Sequence, residues 1–556
     1  MPRRQIIFVF LLLIVAKLLL DYFPTTVIAG GYDDQLFVRL GTQIAAGHWL
    51  GTYDQLTLAK GPGLPLFLAA CHALRLPLNI ADPLLYVLFC IVMVRAVEPV
   101  IGKGWGSVIL FAILLFNPIS FGVDNMARVL RERIYPALSG IALAGAIAIY
   151  LRRNESPRRV WAWGVLLAVS LAVGWITREE GIWLWPSLAI LAGAAVVGVV
   201  RSSEKRRGWR IAMVLAPLAL AACLVGVVAG INWMEYGRFL IVEFKDPAFV
   251  SAYGAMTRVD PADQRRFVPV SSQALRMMYR TCPAVAELQP YLNGPNGQFW
   301  KNLTHETFPR IKGEIGGAWF CWVLRDAVAA SGHAGNATEA EHFYAAIASQ
   351  INAACDTGRL PSGPPRQSLV PPIHWSDWRD ILYTGRWGVR MVVHFHRFDA
   401  QLLPSQAMPE TVQQFQSLIG GSIVPARGLP AEPVSRPTAL RLHLLAGIIN
   451  VYGAIVPTIT YLSLLVFLFL LIRCMRGGAP SVCLIAAALL IAAACMIGII
   501  DLFSVTTYPG VVCPLYLSAA YPPLLAFDGL MTLELIALLR RVKLRRCSAA
   551  RSEIKL

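Results

Sequence analysis

Two stretches of this sequence combine residue types suited to chemistry: Gly31-Tyr32-Asp33-Asp34 and Lys60-Gly61-Pro62-Gly63. The first follows an apolar segment, so two adjacent carboxylates stand where the chain leaves a membrane. The second brings a lysine back to the same side. A carboxylate can accept a proton from a hydroxyl, and a fixed ammonium can hold an anion. Other ionisable groups appear at the ends of later apolar segments: Asp124, Arg128, Arg131 and Glu132, then Arg178, Glu179 and Glu180. Charges at membrane depth are costly and point by default to function. Pair by pair, Arg131-Glu132 and Arg178-Glu179 also suit simple anchors of helix ends. Three loops delivering carboxylates and arginines to one face favour a shared site.

The elements that must position these groups are apolar helices. The chain has 556 residues, 56% hydrophobic and 15% charged, with a mean hydropathy of +0.56. That profile excludes an ordinary soluble protein and fits an all-α polytopic membrane protein. The formal net charge of +17 comes largely from short basic runs between apolar segments. Such runs are topogenic charges, and a nucleic-acid partner is not expected. Candidate spans are 5–20, 83–101, 105–121, 134–151, 160–177, 181–200, 210–232, 441–472, 480–501 and 512–540, about ten by length and hydropathy. The first span also has features of a cleaved signal peptide, with small residues near Val27-Ile28-Ala29. Lys17 and the later spans favour an uncleaved anchor. Residues 63–74 are too short to cross and read as a re-entrant or interfacial helix.

With 63–74 not crossing, Lys103, the Arg152–Arg159 and Arg201–Arg207 clusters, Arg473 with Arg476, and the Arg540–Arg551 tail fall on one side. Both termini are then cytoplasmic by the positive-inside rule. Asp33, Asp34, Lys60 and the two later charged loops fall on the outer face. After the acidic pair, Leu36, Phe37, Leu40 and Ile44 recur at helical spacing and predict an amphipathic interfacial helix over 35–50. One carboxylate can cap that helix. Asp34 is the expected cap and Asp33 the working group.

This order of parts resembles the GT-C class of integral-membrane glycosyltransferases. In particular, it is similar to bacterial relatives of the protein O-mannosyltransferases and of the lipid A aminoarabinose transferase. The resemblance covers residues 1–232 and rests on the acidic first outer loop with Tyr32, the region of Trp49, the lysine of Lys60-Gly61-Pro62, and Thr177-Arg178-Glu179-Glu180-Gly181. A glycine stands where a double proline is usual, and the second acidic position is matched by Asp124 or by Glu132. The resemblance implies a polyprenyl-phosphate sugar donor and a transfer site on the outer face of a bacterial inner membrane, as part of cell-envelope chemistry. It implies catalytic roles among Asp33, Asp34 and Glu132, with Asp124, Glu179 and Glu180 as an additional acidic site. It also implies a hexosyl or pentosyl group as cargo. The acceptor, whether lipid, glycan or protein, is not encoded.

For such a donor, breaking the glycosidic bond leaves negative charge on phosphate while positive charge develops on the sugar. Fixed cations are needed at the phosphate, and Lys60, Arg128, Arg131 and Arg178 are the candidates. A general base is needed at the acceptor hydroxyl, and Asp33 is the candidate for an inverting displacement. No cofactor is required by this chemistry; a divalent cation at Asp33 and Asp34 is left open, so the metal is unknown.

Residues 233–440 are too long and polar for an ordinary loop and predict an extracytoplasmic domain, inserted between a seven-span module (1–232) and a three-span C-terminal module (441–556). Helices are expected over 271–292, 314–331 and 337–356, the last starting at Asn336. His374 to Phe398, rich in Trp, Arg and His, suits an interfacial surface touching lipid headgroups. His374, His394 and His396 lack the partners and spacing of a zinc site. Cys282 and Cys355 are a candidate pair in an oxidising compartment. No Walker loop, dinucleotide fingerprint, Cys-x-x-Cys or nucleophile elbow occurs. The alternative function is a transporter or flippase for an anionic lipid or sugar. Such proteins usually place charges near the bilayer midplane within repeated halves.

Overall fold

The computed structural model describes residues 3–202, 206–260, 265–317, 319–425, 435–478 and 480–553. Lys205, one of the expected cytoplasmic charges, lies outside the described residues. Among the described residues there is no β-strand, only isolated bridges. The chain opens with α1 (Arg3–Leu20), α2 (Asp34–Ala45), α3 (Gly63–Ala73), α4 (Leu78–Ile101) and α5 (Trp105–Leu115). Then follow α6 (Tyr135–Arg152), α7 (Pro157–Thr177), α8 (Trp185–Val200) and α9 (Arg207–Tyr236). The region between α9 and α19, called the outer region after its expected placement, holds α10 (Pro247–Arg258), α11 (Ser272–Thr281), α12 (Pro283–Ala286), α13 (Gln289–Asn293) and α14 (Pro295–Thr307). It continues with α15 (Trp319–Ala330), α16 (Ala337–Asp356), α17 (Trp378–His394) and α18 (Pro409–Ile419). The last helices are α19 (Arg436–Met475), α20 (Ser481–Thr506) and α21 (Tyr521–Glu553).

Among the described residues, eight helices are long and apolar enough to cross a membrane, or nine if one bent pair counts as a span. The chain is an integral membrane protein of the all-α, polytopic kind. Three of the ten expected spans depart from that count or from their expected bounds. First, α1 is an 18-residue helix carrying Arg3, Arg4 and Lys17, which keeps it out of that count. Second, the 105–121 span stops at Leu115 and turns by 62° into Pro118–Ala127. Pro118 has no N–H to continue the ladder, and the Asn117 side chain accepts from Ile119 N at 3.3 Å to start a new turn. Third, residues 512–517 are loop, and the last helical run starts only at Ser518. Pro509, Gly510 (φ +92°) and Pro514 break the pattern there.

The bundle is built around α6, whose residues are almost all buried. Its small side chains explain this. A Cβ on Gly140 would lie 2.4 Å from the Phe89 ring of α4, and one on Gly145 would lie 3.0 Å from Leu167 of α7. Neighbouring helices can therefore close on α6 tightly enough to fix the short loops at its start. The short apolar segment 63–74 is α3 (Gly63–Ala73), and the helix predicted over 35–50 is α2, which ends earlier, at Ala45, with Leu36, Phe37 and Leu40 buried.

The outer region has a second apolar core made by α10 to α16, including Phe249, Met256, Leu275, Phe320, Leu324 and Ile347. Helix α16 starts as expected, with the Asn336 side chain accepting from Glu339 N. The helix predicted over 271–292 is instead three pieces, α11 to α13, because Pro283 and Pro290 each restart the ladder. Cys282 and Cys355 are buried free thiols rather than a disulfide. Trp375 and Trp378 are exposed, while α17 behind them packs on α20 and α19.

Candidate functional site

At one end of the bundle, the loops before α2, α3, α6 and α8 meet. Their meeting depends on two glycines. A Cβ on Gly61 would lie 2.1 Å from the Ile176 carbonyl oxygen, and one on Gly63 would lie 2.1 Å from Thr177 Oγ1. The Lys60-Gly-Pro-Gly turn thus lies directly against the end of α7, a contact that no side-chain-bearing residue allows at either position. That contact sets Lys60 beside the loop that carries Arg178 to Glu180.

Within this cluster the ion pairs are specific. Lys60 Nζ bonds Asp33. Arg128 Nε donates to Asp34 Oδ1 at 3.3 Å. Arg131 Nη1 donates to Glu179 Oε2 at 2.8 Å, and Glu179 Oε1 accepts from Gly61 N at 3.0 Å. Arg178 lies 3.2 Å from Glu132 and 3.3 Å from Glu180. Nine of the ten residues expected from sequence therefore come together. Asp124 does not: at φ +50°, its carboxylate accepts from Gln401 at 3.4 Å and pairs with none of the four cations.

Neither aspartate side chain caps α2. Asp33 occupies the cap position and its backbone carbonyl accepts from Phe37 N at 3.1 Å, but its carboxylate accepts no hydrogen bond from the helix, and Asp34 is the first helical residue. The expected cap role of Asp34 is therefore corrected: Arg128 claims its carboxylate, and the residue is fully buried. Asp33 differs, for 52% of its side chain is open while its Lys60 partner is buried. Burial alone would push Asp33 up, but Lys60, then Arg131 and Arg128, outweigh it and hold the carboxyl below its ordinary value. Burial pushes Asp34 up to about 6, with Arg128 offsetting only part of the cost. Burial also lowers Lys60, opposed by Asp33.

Arg178 is 3% exposed and lies over the rings of Tyr135 (5.6 Å) and Tyr516 (5.8 Å). Although its Nη1 is close to Glu132, it makes no aligned hydrogen bond. A buried guanidinium N–H is thus left with an electrostatic partner only, a donor suited to an added oxyanion. Aromatic rings line the other side of the site: Lys60 sits 4.9 Å from the Phe37 ring and 5.5 Å from the Trp322 ring. Tyr516 belongs to the loop before α21, and Trp322 to α15. Sequence reasoning missed both; the Tyr508-Pro509-Gly510 break was the available signal for the first, and none marked the second.

Tyr32 ties the site to the outer core. Its hydroxyl donates to Asp326 Oδ2 at 2.5 Å, and its ring packs between Trp300 and Trp322, each 5.3 Å away. Arg325, next to Asp326, donates through Nε to the Gln55 carbonyl at 2.7 Å. Helix α15 is thereby joined to the loop of Asp33 through Tyr32 and to the loop before α3 through Gln55.

The two aspartates suit a divalent cation poorly. Each is matched to its own fixed cation, Lys60 or Arg128, whose charge would oppose a metal between them. Among the described residues, no group of three His, Cys, Asp or Glu side chains is arranged to hold a metal, and this includes the His374–His396 stretch.

No protein-family model matches the sequence, and no curated protein matches it. Among solved structures, the chain is similar to ArnT from Cupriavidus metallidurans bound to undecaprenyl phosphate. The two share 12% identity over 96% of this chain and 78% of that one, with a TM-score of 0.32. What the chain's own geometry defines is a polytopic helical membrane protein with a dense ion-pair cluster at one end of its bundle, roofed by a helical outer region.

Proposed function

We propose that this chain is a GT-C-type glycosyltransferase that moves a sugar from a polyprenyl-phosphate donor to an acceptor hydroxyl at the outer face of a bacterial inner membrane, with both termini cytoplasmic. One observation carries the reading: four cations and five carboxylates from separate loops converge around an accessible Asp33. A lipid phosphate travels at headgroup depth, where a helix-end cluster can meet it. Lys60, Arg131 and Arg178 are the groups proposed to hold its oxygens. Arg128 serves one step removed, by keeping Asp34 in place.

The pairing of Lys60 with Asp33 suggests an order of events. Without donor, the ammonium suppresses the basicity of Asp33. A phosphate that draws the ammonium toward itself relieves that suppression, so the base gains strength when the donor is present. Asp33 then takes the proton of the acceptor hydroxyl as its oxygen bonds to the sugar's anomeric carbon. The bond from that carbon to the phosphate oxygen breaks, its electron pair stays on the phosphate, and the anomeric centre inverts. The cations stabilise the charge that accumulates on the leaving group. Residues 1–232 are the proposed catalytic module, helped by Tyr516 from the C-terminal module and roofed by residues 233–440.

The test is transfer by the purified full chain in liposomes, with a radiolabelled polyprenyl-phosphate sugar and a panel of acceptors. Release of polyprenyl phosphate together with a labelled product is the expected outcome. Translocation of intact donor without its consumption overturns the reading in favour of a transporter.

A further inference from the structure

A second charged region lies at the opposite end of the bundle, where α4 and α6 end and α7 begins. A cleft of about 690 Å³ opens there between α4 and α7. Its floor is set by Arg152, which donates to the Ala96 carbonyl at 2.8 Å and lies 5.2 Å from the Trp163 ring. That guanidinium is buried and committed to backbone. The mouth is different. Arg95, Lys103 and Arg159 have side chains 60%, 78% and 74% open. Against these four cations stand only two carboxylates, Glu98 and Glu155, at 3.4 Å from Arg95 and 3.1 Å from Arg159. The cleft carries a net positive charge.

One to two turns further in from the cations, the lining turns apolar at Ile91, Val92 and Leu166. Cations at the mouth and aliphatic walls below match a phosphate headgroup with the start of an acyl chain. The exposed indoles of Trp105, Trp161 and Trp209 stand within the first two turns of α5, α7 and α9, all at this same end. Exposed Trp at helix ends marks the membrane–water interface, which sets the cleft mouth at headgroup level.

We infer that this cleft is a binding site for one anionic phospholipid of the leaflet opposite the Asp33 cluster, with phosphate at Arg95, Lys103 and Arg159 and an acyl chain against Ile91 and Leu166. The site needs only that these helices span a membrane. It stands or falls independently of the transfer reaction.

The test is native mass spectrometry of the full chain in mild detergent, titrated with phosphatidylglycerol and phosphatidylcholine of identical acyl chains. A cation near an anionic lipid contributes a factor of about 5 in affinity. One phosphatidylglycerol should be retained in at least tenfold preference to phosphatidylcholine. The triple variant Arg95→Gln/Lys103→Gln/Arg159→Gln should lose that preference, and Glu98→Gln/Glu155→Gln should increase it. Ala162→Trp, which fills the cleft without altering its charge, should abolish retention and covers the case of a triple variant that does not fold. Equal retention of both lipids by the wild type overturns the inference, as does undiminished retention in Ala162→Trp. Displacement of phosphatidylglycerol by an equimolar polyprenyl phosphate would reassign the cleft to the isoprenoid lipid and overturn it equally.

Discussion

Two clusters of opposite charges lie at the same end of the early helices, and they are built to different rules. In the first, Lys17 pairs electrostatically with Asp21 at 2.9 Å and donates to Ser120 Oγ at 2.8 Å, while Arg133 donates to Asp82 at 2.6 Å. All four charged groups are buried. Gly122 N and the Ala127 carbonyl take up further valences of Asp21 and Arg133 at 2.9 and 3.1 Å. In the second, the Lys60–Asp33 and Arg178–Glu180 pairs each join a buried cation to a half-open carboxylate. A cluster sealed on both sides can only hold helices together. A cluster sealed on one side keeps its cations desolvated, and therefore strong, while leaving its carboxylates within reach of a substrate. The difference lies in access, not in residue type.

The comparison breaks most visibly in the sealed cluster. Arg133→Ala leaves the Asp82 carboxylate buried without its partner, which costs about 3–5 kcal/mol in such sites. Thermal unfolding of the variant in detergent should show a large loss of stability, partly restored by adding Asp82→Asn. An undisturbed melting temperature in the single variant would mean the pair is not structural. In the open cluster, Asp33→Asn should cost less stability than Arg133→Ala, because the amide oxygen can still accept from the buried Lys60, yet reduce transfer by about a thousandfold, within the range expected for a lost general base. Retained turnover there, with Asp34→Asn inactive, would move the base by one residue.

Asp34 sits between the two cases, half of the open cluster by sequence and fully buried in fact. Its folded-state value, about 6, lies above the ordinary 3.8. Between those values the folded chain holds a proton that the unfolded chain has released, so this residue's contribution to stability falls as pH rises through the window and is constant above it. At 1.36 kcal/mol per unit the span is about 3 kcal/mol. The melting-temperature difference between wild type and Asp34→Asn should therefore shift against the wild type from about pH 4 to 6 and then level off. A difference independent of pH would mean that Asp34 is ionised throughout.

The contrast also accounts for what could be read from the chain. Polytopic architecture, α2, α3 and the charged loops were legible because hydropathy and helical period are local properties. The charged residues could be grouped because each stood at the end of an apolar run. Sequence could not tell which partner each would take. Asp33 and Asp34 are adjacent and chemically identical, yet one is half open and one sealed, because Arg128 reaches the second across 94 residues of sequence. The break after Leu115 and the late start of the last helix turned on Pro118, Pro509 and Gly510, residues that interrupt runs otherwise apolar enough to read as spans. Trp322 was hidden for another reason: the outer region folds around its own core, and nothing in its spacing marks the face turned toward Lys60.

The smallest expected effect tests how the roof is fastened to the site. Tyr32→Phe keeps the ring between Trp300 and Trp322 and removes only the hydroxyl that donates to Asp326. Asp326 keeps Tyr291 at 3.3 Å and Gln55 at 3.4 Å, so the buried carboxylate is not orphaned, and the cost should be about 1 kcal/mol. Tyr32→Ala also removes the ring and opens a gap in the outer core, at about 3 kcal/mol or more. If the outer region acts on the reaction by holding the loop of Asp33, the alanine variant should lose transfer beyond its loss of stability, while the phenylalanine variant should stay near wild type. Measuring turnover at a temperature where both variants remain folded separates the two contributions. Equal turnover in the two variants would leave the roof a cover only, with Asp33 positioned by Lys60 and the Gly61–Gly63 contact alone.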